Sequence, residues 1–279
     1  MQIERFKDPA LFRAAVDDFF LANMLQYNHA FSATRSLTVE QVAERRLWLT
    51  RLHQDGATVG VAIITMAAPL RPLWISELDD DAMRQVKQAL EEDGIRLDGV
   101  IGELGNAHRM AGVLDVQVRE HFRLGHHVLD SIPVIAPCAG VMRAATHDDY
   151  ELVIAWEDAF VRECGLPYNR QVLEGMVRDR LNAPVAQEYL WEVDGATVAK
   201  ALGRASLPIA RIGMVYTSPE YRGRGYAGAL VGTLSAALQG QGCEKVFLAT
   251  DLANPTSNGV YRRIGYRQIG EGTHLDIVR

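Results

Sequence analysis

The sequence predicts a mixed α/β protein built from two similar halves in tandem. Three observations predict it. The chain has 279 residues, 48% apolar and 23% charged, which suits two ordinary domains or one large one. Apolar runs of strand length alternate with amphipathic stretches of helix length in both halves. Asp55-Gly56-Ala57-Thr58-Val59 recurs 139 residues later as Asp194-Gly195-Ala196-Thr197-Val198, and Pro69 and Pro208 keep the same offset. In each copy Asp-Gly is a hairpin turn signal between two strand-like runs.

In the first half the pattern predicts helices over Pro9 to about Tyr27 and Val39 to Leu52, then the hairpin. A helix from Asp80 to Glu92, a strand over Gly99–Gly102 and a helix near Ala107 to Glu120 follow. Pro133-Val134-Ile135-Ala136-Pro137 reads as an extended connection, so the expected domains are 1–135 and 136–279. The second half opens with a strand over Val141–Ala145. A helix from Tyr150 to Cys164 follows, capped by Asp148 or Asp149 and ended by Gly165 and Pro167. Next come a helix over Asn169–Leu181, a strand from Glu188 to Val193, the second hairpin and a strand through Ile209 to Thr217. The chain closes with a helix from about Tyr226 to Gln239, a strand over Glu244–Thr250, a helix over Pro255–Ile264, and two short strands around Tyr266–Ile269 and His274–Val278.

Composition narrows the function classes. A formal net charge of −6 argues against a nucleic-acid-binding surface. The N-terminus lacks a signal-peptide core, and the longest apolar stretch, Val59 to Leu70, is too short to span a bilayer and contains Gly60 and Pro69. The expectation is a soluble cytoplasmic protein with neither nucleic-acid nor membrane partner. Cys138, Cys164 and Cys243 form no C-x-x-C pair and read as small buried residues. No metal site is expected.

The strongest local signal runs from Tyr216 to Gly228. A strand ends, Pro219 breaks it, and a glycine-rich turn opens a helix. The first amides of a helix have no internal partner, and its dipole adds partial positive charge. Gly223 and Gly225 let the backbone curl close to an anion, while Arg222 and Arg224 add cationic donors or point to solvent. Such a turn suits a pyrophosphate. A Walker loop would need Gly-Lys-Ser/Thr, which is missing. Gly223-x-Gly225-x-x-Gly228 matches the dinucleotide pattern of an oxidoreductase, but only 51 residues follow it, too few for the further β/α units of that fold. Coenzyme A presents the same pyrophosphate.

A second constellation follows. Asn254 suits an N-cap, Pro255 the first helical position, and Gly265 the helix end. Asn254, Ser257 and Tyr261 fall on one stripe of that helix. Without the glycine turn before it, Tyr261 would read as a packing residue.

Arg222-Gly223-Arg224-Gly225-Tyr226-Ala227 resembles the acyl-CoA-binding motif of the GNAT N-acetyltransferase superfamily, Arg/Gln-x-x-Gly-x-Gly/Ala. Val215-Tyr216-Thr217-Ser218-Pro219 resembles the strand and proline preceding it, and Asn254–Tyr266 resembles a second motif of the family. The resemblance covers roughly Val141–Arg279. It implies two GNAT-like mixed-sheet α/β domains in tandem and an N-acetyltransferase using acetyl-CoA as co-substrate. The acceptor would be a small-molecule or peptide amine. Cofactor contacts would come from Val215, Tyr216, Thr217, Arg222, Gly223, Arg224, Gly225, Tyr226, Ala227, Gly228, Asn254, Ser257 and Tyr261. Pantetheine would lie where the strand of Val215–Thr217 splays from its neighbour, a backbone N–H near Val215 would stabilise the oxyanion, and Tyr261 would protonate the departing thiolate. The strand position where many members carry a carboxylate reads Arg211-Ile212-Gly213-Met214, so the base stays open among Glu157, Glu188, His274 and water. The first half has Asp79-Asp80-Asp81 where the glycines would be, which implies a half that has lost its cofactor site. The rival function is a GNAT-like protein that binds or senses acyl-CoA without turnover.

Overall fold

The computed structural model describes residues 1–66, 71–166, 169–182 and 186–278. Pro69, half of the proline echo, the end of the Val59–Leu70 stretch, and Pro167 lie outside the described residues. The first half contains β1 (Gln2–Phe6), α1 (Pro9–Ala22), α2 (Met24–Arg35), α3 (Val39–Glu44), β2 (Trp48–Gln54), β3 (Ala57–Ile64), β4 (Pro72–Ile75), α4 (Asp80–Glu92), β5 (Gly99–Glu103), α5 (Leu104–Leu114) and β6 (Val118–Leu129). The second contains β7 (Val141–Ala144), α6 (Tyr150–Glu163), α7 (Arg170–Asn182), β8 (Ala186–Val193), β9 (Ala196–Ser206), β10 (Ile209–Thr217), α8 (Tyr226–Gly240), β11 (Lys245–Asp251), α9 (Pro255–Ile264) and β12 (Arg267–Ile277).

The two halves repeat one topology. β1–β2, β2–β3 and β3–β4 pair antiparallel and β4–β5 parallel; β7–β8, β8–β9 and β9–β10 pair antiparallel and β10–β11 parallel. The sequence echo has a matching backbone. Asp55 and Gly56 have φ of 51° and 84°, Asp194 and Gly195 have 50° and 81°, the positive pair of a tight hairpin turn. Each hairpin also slips register beside its turn, at Leu52/His53 and at Trp191/Glu192.

The compact units are discontinuous in sequence. One is Met1–Gly125 with Asp251–Ala253 and Gly270–Arg279; the other is His126–Thr250 with Asn254–Ile269. A single boundary near residue 135 therefore differs from the observed division. The closing strand joins the first unit, where Gly272–Asp276 pairs antiparallel with Glu103–Gly99 of β5. Leu275 completes that unit's core with Leu52, Ile64, Leu73, Met83, Val86, Val100 and Met110. In the second unit α8 and α9 pack on one sheet face through Val198, Ile212, Leu230, Leu234, Val246 and Tyr261. α6 and α7 cover the other through Val153, Ile154, Val177 and Leu190.

Several expected elements change. The helix expected over Pro9–Tyr27 breaks at Asn23, whose side-chain amide donates to the Phe19 carbonyl, and α2 continues to Arg35. The helix expected over Val39–Leu52 stops at Glu44; Arg46 reverses the chain at φ 50°, and Trp48 onward is strand, with Leu49 and Leu52 buried. The helix expected to reach Glu120 ends at Leu114, where Asp115 adopts a left-handed cap. The two closing strands are one strand, β12, and β1, β4 and β6 have no counterpart among the expected elements. The aspartate cap also differs: Asp149 accepts from the Thr146 backbone and pairs with Arg143, and no side-chain cap serves α6. Among the described residues no helix is long and apolar enough to cross a membrane.

Candidate functional site

The site begins with a fork in the sheet of the second unit. β10 runs beside β11 only from Ile209↔Lys245 to Arg211↔Phe247. On its other edge it pairs regularly with β9 as far as Gly213↔Leu202 and resumes at Tyr216↔Lys200. Met214 and Val215 thus oppose Ala201 alone, a bulge with Met214 at φ 50°. Such an insertion bends a strand and disrupts its local ladder. The backbone of Val215–Thr217 lies beyond the last β10–β11 pair, at the mouth of the fork.

Beyond Thr217 the Ser218 amide donates to the Val198 carbonyl, a single helical turn covers Pro219–Tyr221, and α8 starts at Tyr226. Gly223 and Gly225 have φ of 78° and 85°, and no described atom lies within 4 Å of the point a Cβ would occupy on either. Both positions therefore use glycine for conformation and leave open space above the loop. The amides of Tyr226, Ala227 and Gly228 form the first turn of α8 and have no intrahelical acceptor. A Cβ at Gly228 would sit in ordinary contact with the Val260 side chain of α9, 3.6 Å away.

The two arginines brace the loop. Arg222 Nε donates to the Thr217 carbonyl at 2.9 Å, and its Nη2 pairs with Glu163 of α6 at 2.7 Å. Its guanidinium also lies 5.4 Å from the Tyr216 ring centre. Arg224 donates to the Glu220 carbonyl at 3.2 Å and lies over Tyr221. In this arrangement Arg222 ties the end of β10 to α6 rather than turning its charge toward the cradle.

On α9 the Asn254 side chain accepts from the Ser257 amide at 3.1 Å, the expected cap. Tyr261 faces inward and is 8% exposed, Ser257 is half-buried and Asn254 exposed. The stripe thus grades from solvent to core. The Tyr261 ring meets Tyr266 edge-on at 6.1 Å, and Tyr266 shares a hydrogen bond of 2.8 Å with Ser235. Burial pushes the Tyr261 phenol up to about 12.

Two of the three candidate bases are held in ion pairs. Glu157 of α6, 1% exposed, accepts from Lys200 Nζ and Arg180 Nη2, each at 2.5 Å. Glu188, also buried, faces the same two cations at 3.4 Å. Burial acts to raise the Glu157 carboxyl, but Lys200 and Arg180 outweigh it and hold the group well below the usual range. A carboxylate so stabilised is a poor proton acceptor. His274 belongs to the first unit, stacked at 5.7 Å on His121. The reading of the sequence missed Lys200 and Arg180. The signal was legible: Lys200 interrupts the apolar run Val198-Ala199-Lys200-Ala201-Leu202, and a lysine in a central strand needs a buried partner.

In the first unit the matching helix start is occupied by its own acids. Asp79 caps α4 by accepting from the Ala82 amide at 2.8 Å, and Asp80 pairs with Arg109 at 2.6 Å. α5 carries no tyrosine.

Residues 150–266, which contain the fork, the cradle and α9, match the model of the acetyltransferase (GNAT) family. Solved structures align over nearly the whole chain. A Drosophila protein is 13% identical with a TM-score of 0.70, covering 99% of this chain and 98% of its own. An acetyltransferase from the GNAT family of Colwellia psychrerythraea is 11% identical with a TM-score of 0.60, covering 100% of both. A tandem GNAT protein from the clavulanic acid biosynthesis pathway is 13% identical with a TM-score of 0.57, covering 98% of this chain and 97% of its own. At these identities the likeness is one of fold, and it agrees with the repeated topology of the two halves. The match over residues 150–266 is to the acetyltransferase (GNAT) family, and it supports acyl transfer.

Proposed function

We propose that the protein is an acetyl-CoA-dependent N-acetyltransferase that moves an acetyl group to a primary amine, with its cofactor site between Val215 and Tyr261. The observation that carries this reading is the open cradle at Gly223 and Gly225, one loop beyond the fork. A pyrophosphate fits there: the left-handed glycines clear the space, and the first amides of α8 face it with the helix dipole behind them. The backbone of Val215 and Thr217 would pair with pantetheine, and the Val215 amide would stabilise charge on the carbonyl oxygen.

Acetyl-CoA supplies an electrophilic thioester carbonyl. The amine nitrogen bonds to the carbonyl carbon, the C–S bond breaks, and the sulfur leaves with the bonding pair. Tyr261 gives its phenolic proton to that sulfur, and the proton shed by the amine passes to water. With its phenol at about 12, Tyr261 stays protonated through the neutral range. The dry surroundings that raise the phenol also raise a thiol, which narrows the gap between donor and acceptor. The ion pairs of Glu157 and Glu188 favour water, or arrival of a neutral amine, over either carboxylate as base. The same pairs support the rival reading, binding of acyl-CoA without turnover. Thiol release from acetyl-CoA in the presence of an amine panel separates the two: amine-dependent release supports the enzyme, and binding without release supports the rival.

The first half, read as GNAT-like without a cofactor site, would shape the protein without contributing a second reaction centre. The acids that cap α4 support this, since they would repel a pyrophosphate.

A further inference from the structure

We propose that Tyr266 is a positioning residue for Tyr261: pinned to α8 through Ser235, its ring sets the direction in which the Tyr261 phenol points. The proposal rests on the reading of Tyr261 as donor of the leaving-group proton and deepens it.

Tyr261 shares an apolar cluster with Leu230, Leu234 and Val246. Among the described residues its hydroxyl makes no hydrogen bond, and burial alone shifts it. Nothing polar therefore fixes the angle of this ring. Its neighbours fix it. A general acid has to bring its O–H within hydrogen-bond reach of the atom it protonates, so the angle matters to the reaction.

Tyr266 is the neighbour held at both ends. Its amide donates to the Tyr261 carbonyl at 3.0 Å, across the turn that Gly265 makes at φ 114°. Its hydroxyl meets Ser235 Oγ at 2.8 Å. Ser235 is fully buried, and its Oγ donates to the Val231 carbonyl at 2.7 Å. A serine hydroxyl has one proton. Val231 takes that proton, so in the other contact Tyr266 donates and Ser235 accepts. Burial raises the Tyr266 phenol, with Ser235 opposing, and the donor stays protonated through the neutral range. The chain from Tyr266 through Ser235 to Val231 thus runs in one direction only.

The two rings meet edge-on, with centres 6.1 Å apart and planes at 66°. The energy of an aromatic pair depends on its mutual angle, so the orientation of Tyr266 is passed to Tyr261. A phenylalanine at 266 would fill the same space without the anchor. The anchor also has a meaningful address. Ser235 belongs to α8, whose first turn forms the cradle, nine residues earlier and of the order of 13 Å along the axis. One rigid helix therefore carries both the cradle amides and the group that pins Tyr266. The phenol of Tyr261 is held in register with the site of the pyrophosphate, and so with the thioester at the other end of the cofactor.

The test is single-turnover thiol release from bound acetyl-CoA. Hydroxylamine serves as the amine, a small nucleophile that needs no acceptor-specific contacts. The proteins are the parent, Tyr266→Phe, Ser235→Ala, Tyr261→Phe and the Tyr261→Phe/Tyr266→Phe double variant. Tyr266→Phe should release thiol at least about 10-fold more slowly than the parent, with the Kd for acetyl-CoA within about two-fold. Ser235→Ala removes the anchor and keeps both rings, so it should slow release in the same way and reads the same step if Tyr266→Phe is unstable. The double variant should be within about two-fold of Tyr261→Phe alone, because aiming no longer matters once the aimed hydroxyl is gone. A merely structural Tyr266 would give losses that multiply in the double variant, or a Kd that rises as the rate falls; either result overturns the proposal. Slow release in Tyr261→Phe with parental rates in Tyr266→Phe and Ser235→Ala overturns the positioning role alone and leaves the donor reading standing. A parental rate in Tyr261→Phe, or no release above background in the parent, overturns the donor or the acyl-transfer reading and this role with it.

Discussion

At the scale of single residues, Tyr261 and Gly225 carry the sharpest expectations. Tyr261→Phe keeps the ring and its contact with Tyr266 and removes one hydroxyl. If the phenol protonates the leaving thiolate, its loss falls on the transition state: kcat should drop about 10²–10⁴-fold while the Kd for acetyl-CoA stays close to the parent value. Single-turnover thiol release reads this directly, and an unchanged rate would make Tyr261 a packing residue. The phenol also predicts alkaline lability. Its value is about 12 in the fold against 10.0 ordinarily, so the folded state favours the neutral form. That stabilisation is complete below pH about 10 and is lost as pH rises through about 12. Burial raises Tyr266 likewise. Urea midpoints should therefore fall across this window, and Tyr261→Phe should fall less steeply than the parent. Gly225→Val should abolish acetyl-CoA binding in a folded protein, because Gly225 sits at φ 85° with open space above it and a β-branched residue resists that backbone. Far-UV dichroism should be unchanged while calorimetry detects no binding; parental affinity would remove the cradle from the site.

At the scale of elements, the buried charges of α6, α7, β8 and β9 set the largest stability effects. Glu157 joins α6 to Arg180 on α7 and Lys200 on β9. Removing one partner of a buried pair leaves a charge without compensation, so Glu157→Gln should lower unfolding stability by about 3–5 kcal/mol in urea titrations. The Lys200→Met/Glu157→Gln double variant should lose less than the sum of the single losses, since the pair is broken once. The pH sign follows from the lowered Glu157 carboxyl: its stabilisation is present above the ordinary carboxyl range and is lost as pH falls below it. Glu157→Gln should flatten the acid limb of the stability profile. The elements also show how far local pattern reaches. α4, α9 and β10 match their expected spans, because each is bounded by local signals: the Asp79 cap, Pro255 with Gly265, and the hairpin before Ile209. Trp48–Gln54 misled because its apolar spacing suits a helix turn as well as a strand, and Arg46 at φ 50° decides between them.

At the scale of the whole molecule, the repeated topology makes stoichiometry the informative measurement. One acetyl-CoA per chain is expected, because the first unit fills the matching helix start with Asp79 and Asp80 where the second has left-handed glycines. Two equivalent sites by calorimetry would contradict a first half without a cofactor site. Acetyl-CoA should raise the melting temperature in proportion to the logarithm of its concentration once well above Kd, and NADH should not. Stabilisation by NADH alone would return the glycine turn to the dinucleotide reading.

The sequence by itself determined the mixed α/β class, the echo between halves, the cradle and the capped helix that follows it. Each of these is written in neighbouring residues: positive φ at Asp-Gly and Gly-x-Gly, a proline at a helix start, a glycine at its end. Tertiary structure alone decided where the long side chains and the last strand go. Arg222 turns to Glu163, Glu157 is locked by Arg180 and Lys200, Arg204 comes to face Arg211, and Gly272–Asp276 joins β5 of the first unit. Most of these choices depend on partners tens to more than a hundred residues away. A charged side chain or a strand edge is satisfied by whichever complementary group the fold delivers, and local periodicity does not specify which group that is.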